Sequence, residues 1–113
     1  MGKIMDLELI QAEYDQLRSR LANLGWISQG HVGHRGPRGP GPRYQWTRKL
    51  GDKTVTVLLS KEQYAAFKQA NENWRGAQLI LKRMQVLSRQ FIFSTYPHPI
   101  RRKPLSRKVL GLI

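Results

Sequence analysis

The stretch that decides the fold is Tyr44 to Gln63, YQWTRKLGDKTVTVLLSKEQ. Tyr44–Lys49 and Thr54–Val57 are rich in aromatic and β-branched residues, which favour strands. Gly51-Asp52 between them is a two-residue hairpin loop, because glycine takes the positive φ that a primed turn needs. That loop sets the register: Leu50 opposite Lys53, Arg48 opposite Val55, Trp46 opposite Val57 and Tyr44 opposite Leu59. Tyr44, Trp46, Val55, Val57 and Leu59 then face a core. Gln45, Thr47, Lys49, Thr54, Thr56 and Leu58 face the other way. A lone hairpin is marginal in water, so its apolar face must pack on a helix. Ser60 and Gln63 form a capping box that starts one.

Downstream, that helix runs over 61–95, until Pro97 and Pro99 end it. Phe67, Trp74 and Leu81 recur every seven residues, as do Ala77, Met84 and Phe91. Gly76 marks a close crossing or a bend, since glycine inside a helix costs roughly 1 kcal/mol relative to alanine. Upstream, Leu7, Ile10, Tyr14, Leu17, Leu21 and Leu24 form a heptad seam over a helix at 5–24, stopped by Gly25. The expected fold is α+β, mostly α. It pairs two long antiparallel helices, 5–24 and 61–95, with the hairpin (44–50 and 53–59) between them. Residues 1–96 form the domain and 97–113 a basic tail. The helix seams would also suit a homodimer.

The 113 residues carry a formal net charge of +13 and a pI near 11.0, which points to a polyanionic partner. Residues 1–24 are slightly acidic, so the excess lies beyond the first helix. The absence of cysteine removes disulfides and thiolate metal sites and suits a reducing cytoplasm. No apolar run is long enough for a membrane span, and acids at Asp6 and Glu8 argue against a signal peptide. With only seven acids, and no nucleophile, phosphate-loop or metalloprotease motif, neither an enzyme nor a cofactor is expected. His31 and His34 lack further ligands for a metal and read as loop histidines.

Nucleic acid, DNA or RNA, is the expected partner, and four basic segments are candidates for holding it. The first is the Gly/Pro-rich loop 25–43, with Arg35, Arg38 and Arg43. It is either a solvated loop or an arm that hugs phosphates, since glycine lets guanidinium groups approach closely. The second is a seven-residue stripe, Lys61, Lys68, Arg75, Lys82 and Arg89. It is either the wet flank of a helix seam or a ladder of phosphate contacts. The third is the tail, with Arg101, Arg102, Lys103, Arg107 and Lys108. It either orders on nucleic acid or docks Leu105, Val109, Leu110, Leu112 and Ile113 on a partner or on the domain. The fourth is the outer hairpin face, where Gln45, Thr47, Lys49, Thr54 and Thr56 would meet a groove, with Arg48 and Lys53 flanking the turn. Trp46 is a base-stacking candidate that the register assigns to the core.

At YQWTRKLGDKTVTVLLSKEQ, LSRQFIF and RRKPLSRKVLGLI the chain resembles an uncharacterised bacterial family of short basic proteins. That family has a YQWTRK–GKTVTV–LSxEQ core and is often encoded in or beside transposable elements. The resemblance covers roughly residues 17–113 and implies no catalytic residue. It does imply a mobile-element setting. Many relatives have a CGKPxCxC-like cluster before the YQW motif, where this chain has Gly, Pro, Arg and His. The expected role is a non-catalytic nucleic-acid-binding accessory protein. The alternative is a helical-hairpin adaptor for a protein partner such as a transposase or a ribonucleoprotein.

Overall fold

The computed structural model describes residues 6–34, 41 and 43–113. The protein is α+β and mostly helical, with one antiparallel sheet. It divides into two compact units, Leu24–Ala77 and a second made of Met1–Asn23 with Gln78–Ile113.

The Leu24–Ala77 unit holds three strands, β1 (His31–His34), β2 (Tyr44–Leu50) and β3 (Lys53–Leu59), in the order β1-β2-β3. The β2–β3 register is the one the sequence predicts, from Tyr44↔Leu59 to Leu50↔Lys53. Gly51 turns with φ 65°, and no described non-glycine residue has positive φ. The loop therefore follows the II′ pattern, with its only positive φ at the first position. β1 is a correction, because the 25–43 segment is not all loop. Val32 pairs with Trp46 and His34 with Tyr44. Four residues with a glycine among them carry no usable alternation, so this strand exists only through its pairing with β2.

The inner sheet face is covered at one end. Leu59 is buried and Trp46 half-buried, but Val57 is 45% exposed. The Trp46 ring stacks on Phe67 with centroids 4.7 Å apart, and its indole Nε1 donates to the Gln29 carbonyl at 3.1 Å. Gly30 makes this seat possible. Its φ is 118°, and a Cβ there would lie 2.2 Å from the Trp46 Nε1. The helix that supplies Phe67 is α2 (Lys61–Thr95). It starts at the expected capping box: Gln63 N donates to Ser60 Oγ at 3.1 Å, and Ser60 N donates to Gln63 Oε1 at 3.0 Å.

In the second unit, α1 spans Leu7–Ala22, shorter than expected at both ends. Asp6 caps its start by accepting from Glu8 N and Leu9 N, and Asn23 closes it, so Gly25 is not the stop. Ile10, Leu17, Ile80, Met84, Leu87 and Leu112 form the buried core of this unit. The 16-residue α1 and 35-residue α2 are not a matched pair of long seams. Glu13 and Arg83 form a two-point ion pair at 2.6 and 2.8 Å. The hydrogen bonds from Arg83 hold the Glu13 carboxyl below its ordinary range, and Glu13 in turn raises Arg83.

The apolar rows of α2 also need correction. Ala70, Ala77, Ile80, Met84 and Leu87 are buried, whereas Leu81 and Phe91 are exposed. Gly76 marks no close crossing, because a Cβ there would meet nothing within 4 Å.

The 97–113 stretch, expected as a tail, ends in a short helix, α3 (Arg107–Leu110), capped by Ser106. Gly111 follows in the left-handed region, Gly111 N donates to Lys108 O and Leu112 N to Arg107 O. This is a Schellman close. Arg89 Nη1 and Gln90 Nε2 donate to the Gly111 and Leu112 carbonyls, and Leu112 is 7% exposed. Of the alternatives for this stretch, its end docks on its own chain.

Candidate nucleic-acid interface

The basic residues that the sequence singles out fall into three groups. Arg35 and Arg38 lie outside the described residues. Arg43, Lys49, Lys53, Lys61, Lys68, Arg75, Lys82, Arg101, Arg102, Lys103, Arg107 and Lys108 are exposed. Arg48 and Arg89 are half-buried and engaged. The Arg48 guanidinium lies 5.4 Å from the Trp46 ring centre, on the inner rather than the outer sheet face. Arg89 holds the Gly111 carbonyl and Gln85 Oε1. Arg101 Nη1 sits 3.5 Å from His98 Nδ1, whose ring stacks on Phe93.

Among the described residues, every Lys and Arg except Arg48 and Arg89 is exposed, and only Arg18 and Arg83 have an acid within ion-pair distance. The remaining described cations therefore have no acidic partner among the described residues. Lys61, Lys68 and Arg75 belong to the Leu24–Ala77 unit, and Lys82 and Arg89 to the other.

On the outer sheet face, β2 places Gln45 and Thr47 half-buried and Lys49 exposed, while β3 places Thr54 and Thr56 exposed. The Gln45 side chain lies over Gly33, where a built Cβ would be 3.6 Å away. Strand alternation puts His31 on this face and His34 on the opposite one, so the pair cannot chelate one ion from the strand. The His34 ring instead meets Tyr44 edge-on at 5.1 Å. Trp46 offers no free stacking platform, with its ring committed to Phe67 and Arg48 and its N–H to Gln29.

Two features escaped the sequence reading. The first is a cleft of 490 Å³ between sheet and helix within the Leu24–Ala77 unit, lined by Tyr44, Lys61, Tyr64, Lys68, Gln69 and Glu72. Tyr44 and Tyr64 meet there with ring planes tilted by 34° and centroids 4.6 Å apart. The second is Trp26, 90% exposed on a segment strapped to α2. Asn73 Nδ2 donates to the Trp26 carbonyl at 2.9 Å, Ser28 N to Ala70 O at 3.2 Å, and Asn71 Nδ2 to Ser28 O at 2.8 Å. The signal was present: Asn71-Glu72-Asn73 sets two poor helix formers in a helix interior, where such residues usually serve a specific hydrogen bond.

Among the described residues no helix is long and apolar enough to cross a membrane. Comparison of the chain with models of protein families, with curated proteins and with solved structures finds no match.

Proposed function

We propose that the chain is a non-catalytic nucleic-acid-binding accessory protein, acting in the cytoplasm within a mobile-element or other nucleoprotein system. The observation that carries this reading is the free charge. A chain of net +13 leaves nearly all its described cations exposed and without an acidic partner. Such a surface gains affinity for phosphates by releasing their counterions. Lys61, Lys68, Arg75 and Lys82 on α2, Arg43 before β2, and Arg102, Lys103, Arg107 and Lys108 near the C-terminus would supply phosphate contacts. Gln45, Thr47, Lys49, Thr54 and Thr56 would face base edges.

Titration with mixed-sequence duplex, single strand and structured RNA over a salt series tests this. The expected log–log slope corresponds to at least about five phosphate contacts, at about −0.9 per contact on duplex DNA. Affinity that is flat between low and physiological salt overturns the proposal. A second reading, an adaptor for a protein partner, draws on an apolar cleft of 320 Å³ lined by Ile10, Tyr14, Leu87, Phe91, Ile92 and Tyr96. A flat salt response would favour it.

A further inference from the structure

We infer that Trp26 and the Tyr44–Tyr64 cleft form one track for the unpaired bases of a single-stranded nucleic acid. The inference rests on the nucleic-acid reading above and names the form of the ligand. Three observations within the Leu24–Ala77 unit carry it.

The first is how Trp26 is held. An indole that is 90% exposed loses apolar contact with the protein, which is unfavourable for a large ring unless something else covers it. Its backbone is nevertheless fixed. The Trp26 carbonyl accepts from Asn73, and Ser28, two residues on, is bonded through both its N–H and its carbonyl. The side chain is thus displayed from an anchored segment, and little ordering entropy is lost when a flat ligand stacks on it.

The second is continuity. Asn73 also accepts through Oδ1 from Gln69 Nε2 at 3.1 Å, and Gln69 lines the tyrosine cleft. Residues 61, 65, 69 and 73 lie along one face of α2, over about 18 Å at 1.5 Å per residue. Trp26 is therefore tied to the same helix face that floors the cleft. The tilted Tyr44–Tyr64 pair lies toward one end of this face, and the backbone that carries Trp26 is bonded at the other.

The third is charge. Lys61 and Lys68 stand beside the tyrosines, exposed and with no acid within ion-pair distance. Arg43 precedes Tyr44 and is also exposed. Rings to stack bases, interleaved with cations to follow the phosphates, are what a single strand requires. A cleft of 490 Å³ lies within the size range of small-ligand sites and has room for a base. Trp46 is the poorer platform, because Phe67 and Arg48 both lie against its ring. Tyr44 already meets Tyr64 and His34, so an incoming base would stack on Tyr64 from outside that pair. Glu72 is the one acid lining the cleft, and it opposes phosphate.

The test uses the whole chain and oligomers of about ten nucleotides, oligo-dT and oligo-U, beside a blunt duplex. Trp26→Ala should weaken single-strand binding roughly tenfold, the loss expected for one stacked base, and leave duplex binding within about twofold. Trp26→Phe keeps a stacking face and should stay within about threefold of wild type. Binding should also quench the emission of the exposed indole, and Trp26→Phe should remove that change. Glu72→Gln should tighten binding to the single strand. Comparing oligo-dT with oligo-U decides between DNA and RNA. Because the Trp26 ring contributes so little to packing, the Trp26→Ala melt should match wild type, so a binding loss can be read directly. If Trp26→Ala keeps wild-type single-strand affinity while salt-dependent binding persists, this inference falls and the broader reading stands. If the wild-type chain binds no nucleic acid of any form, both fall.

Discussion

The two halves of α2 are held by different chemistry. In the Leu24–Ala77 unit the helix is gripped by rings and hydrogen bonds: Trp46 on Phe67, Tyr44 on Tyr64, and backbone straps at Ala70, Asn71 and Asn73. In the other unit its buried positions are Ile80, Met84 and Leu87, with an ion pair at Arg83. A ring stack (Phe93 on His98) and carbonyl bonds (Arg89 and Gln90 to Gly111 and Leu112) come only toward its C-terminal end. Ring stacks and straps depend on direction, whereas aliphatic burial depends mainly on volume. The first half should therefore reject conservative changes that the second accepts. It is also the half with the most exposed aromatic residue, Trp26.

The largest effects come from truncation. Trp46→Ala and Leu87→Ala should each destabilise their unit by about 3 kcal/mol, measured by chemical denaturation. The conservative pair separates the two chemistries. Leu87→Met should cost less than about 1.5 kcal/mol. Trp46→Phe forfeits the bond to the Gln29 carbonyl and the fit against Gly30, and should cost at least that much. Equal losses for the two conservative variants would break the comparison.

The glycines sharpen it. Gly30→Ala should cost at least about 2 kcal/mol, because φ is 118° and the added methyl would meet the indole. Gly76→Ala should stabilise by about 0.5–1 kcal/mol, since the position is helical and open. A thermal melt of each variant decides the sign. A destabilised Gly76→Ala would mean that the helix needs a bend there.

The smallest effect concerns the Glu13–Arg83 pair. Its side chains are 41% and 47% exposed, so solvent screens it, and Glu13→Gln should cost only about 0.5 kcal/mol at neutral pH. The sign with pH follows from the lowered carboxyl. Its contribution is complete above the ordinary carboxylate range and disappears as pH falls through the folded-state value. Stability curves of wild type and Glu13→Gln should therefore converge in acid. A gap that persists at low pH would show that the glutamate acts through packing.

Much of the sheet was legible because its determinants are local. The period-2 alternation from Tyr44 to Leu59, a two-residue turn with glycine first, and a capping box within four residues each act over a few bonds. Together they predict the register, the turn and the start of α2. The prolines after Thr95 mark its end equally well. Charge was legible too, since net +13 needs no fold.

What only the tertiary structure decided depends on residues far apart in the chain. His31–His34 becomes a strand because β2 offers it an edge. Ile80 is buried and Leu81 exposed, though both are large and aliphatic, because the fold packs one side of the helix here and leaves the next position to solvent. Arg48 and Arg89 read as free cations until a ring and a C-terminal carbonyl are brought to them. Trp26 and Trp46 are the same residue type twenty positions apart. One ring fills a seat shaped by Gly30 and Phe67, and the other stands in water on a segment held by two asparagines. Composition and periodicity cannot separate them, because the difference lies in which partners the fold delivers to each ring.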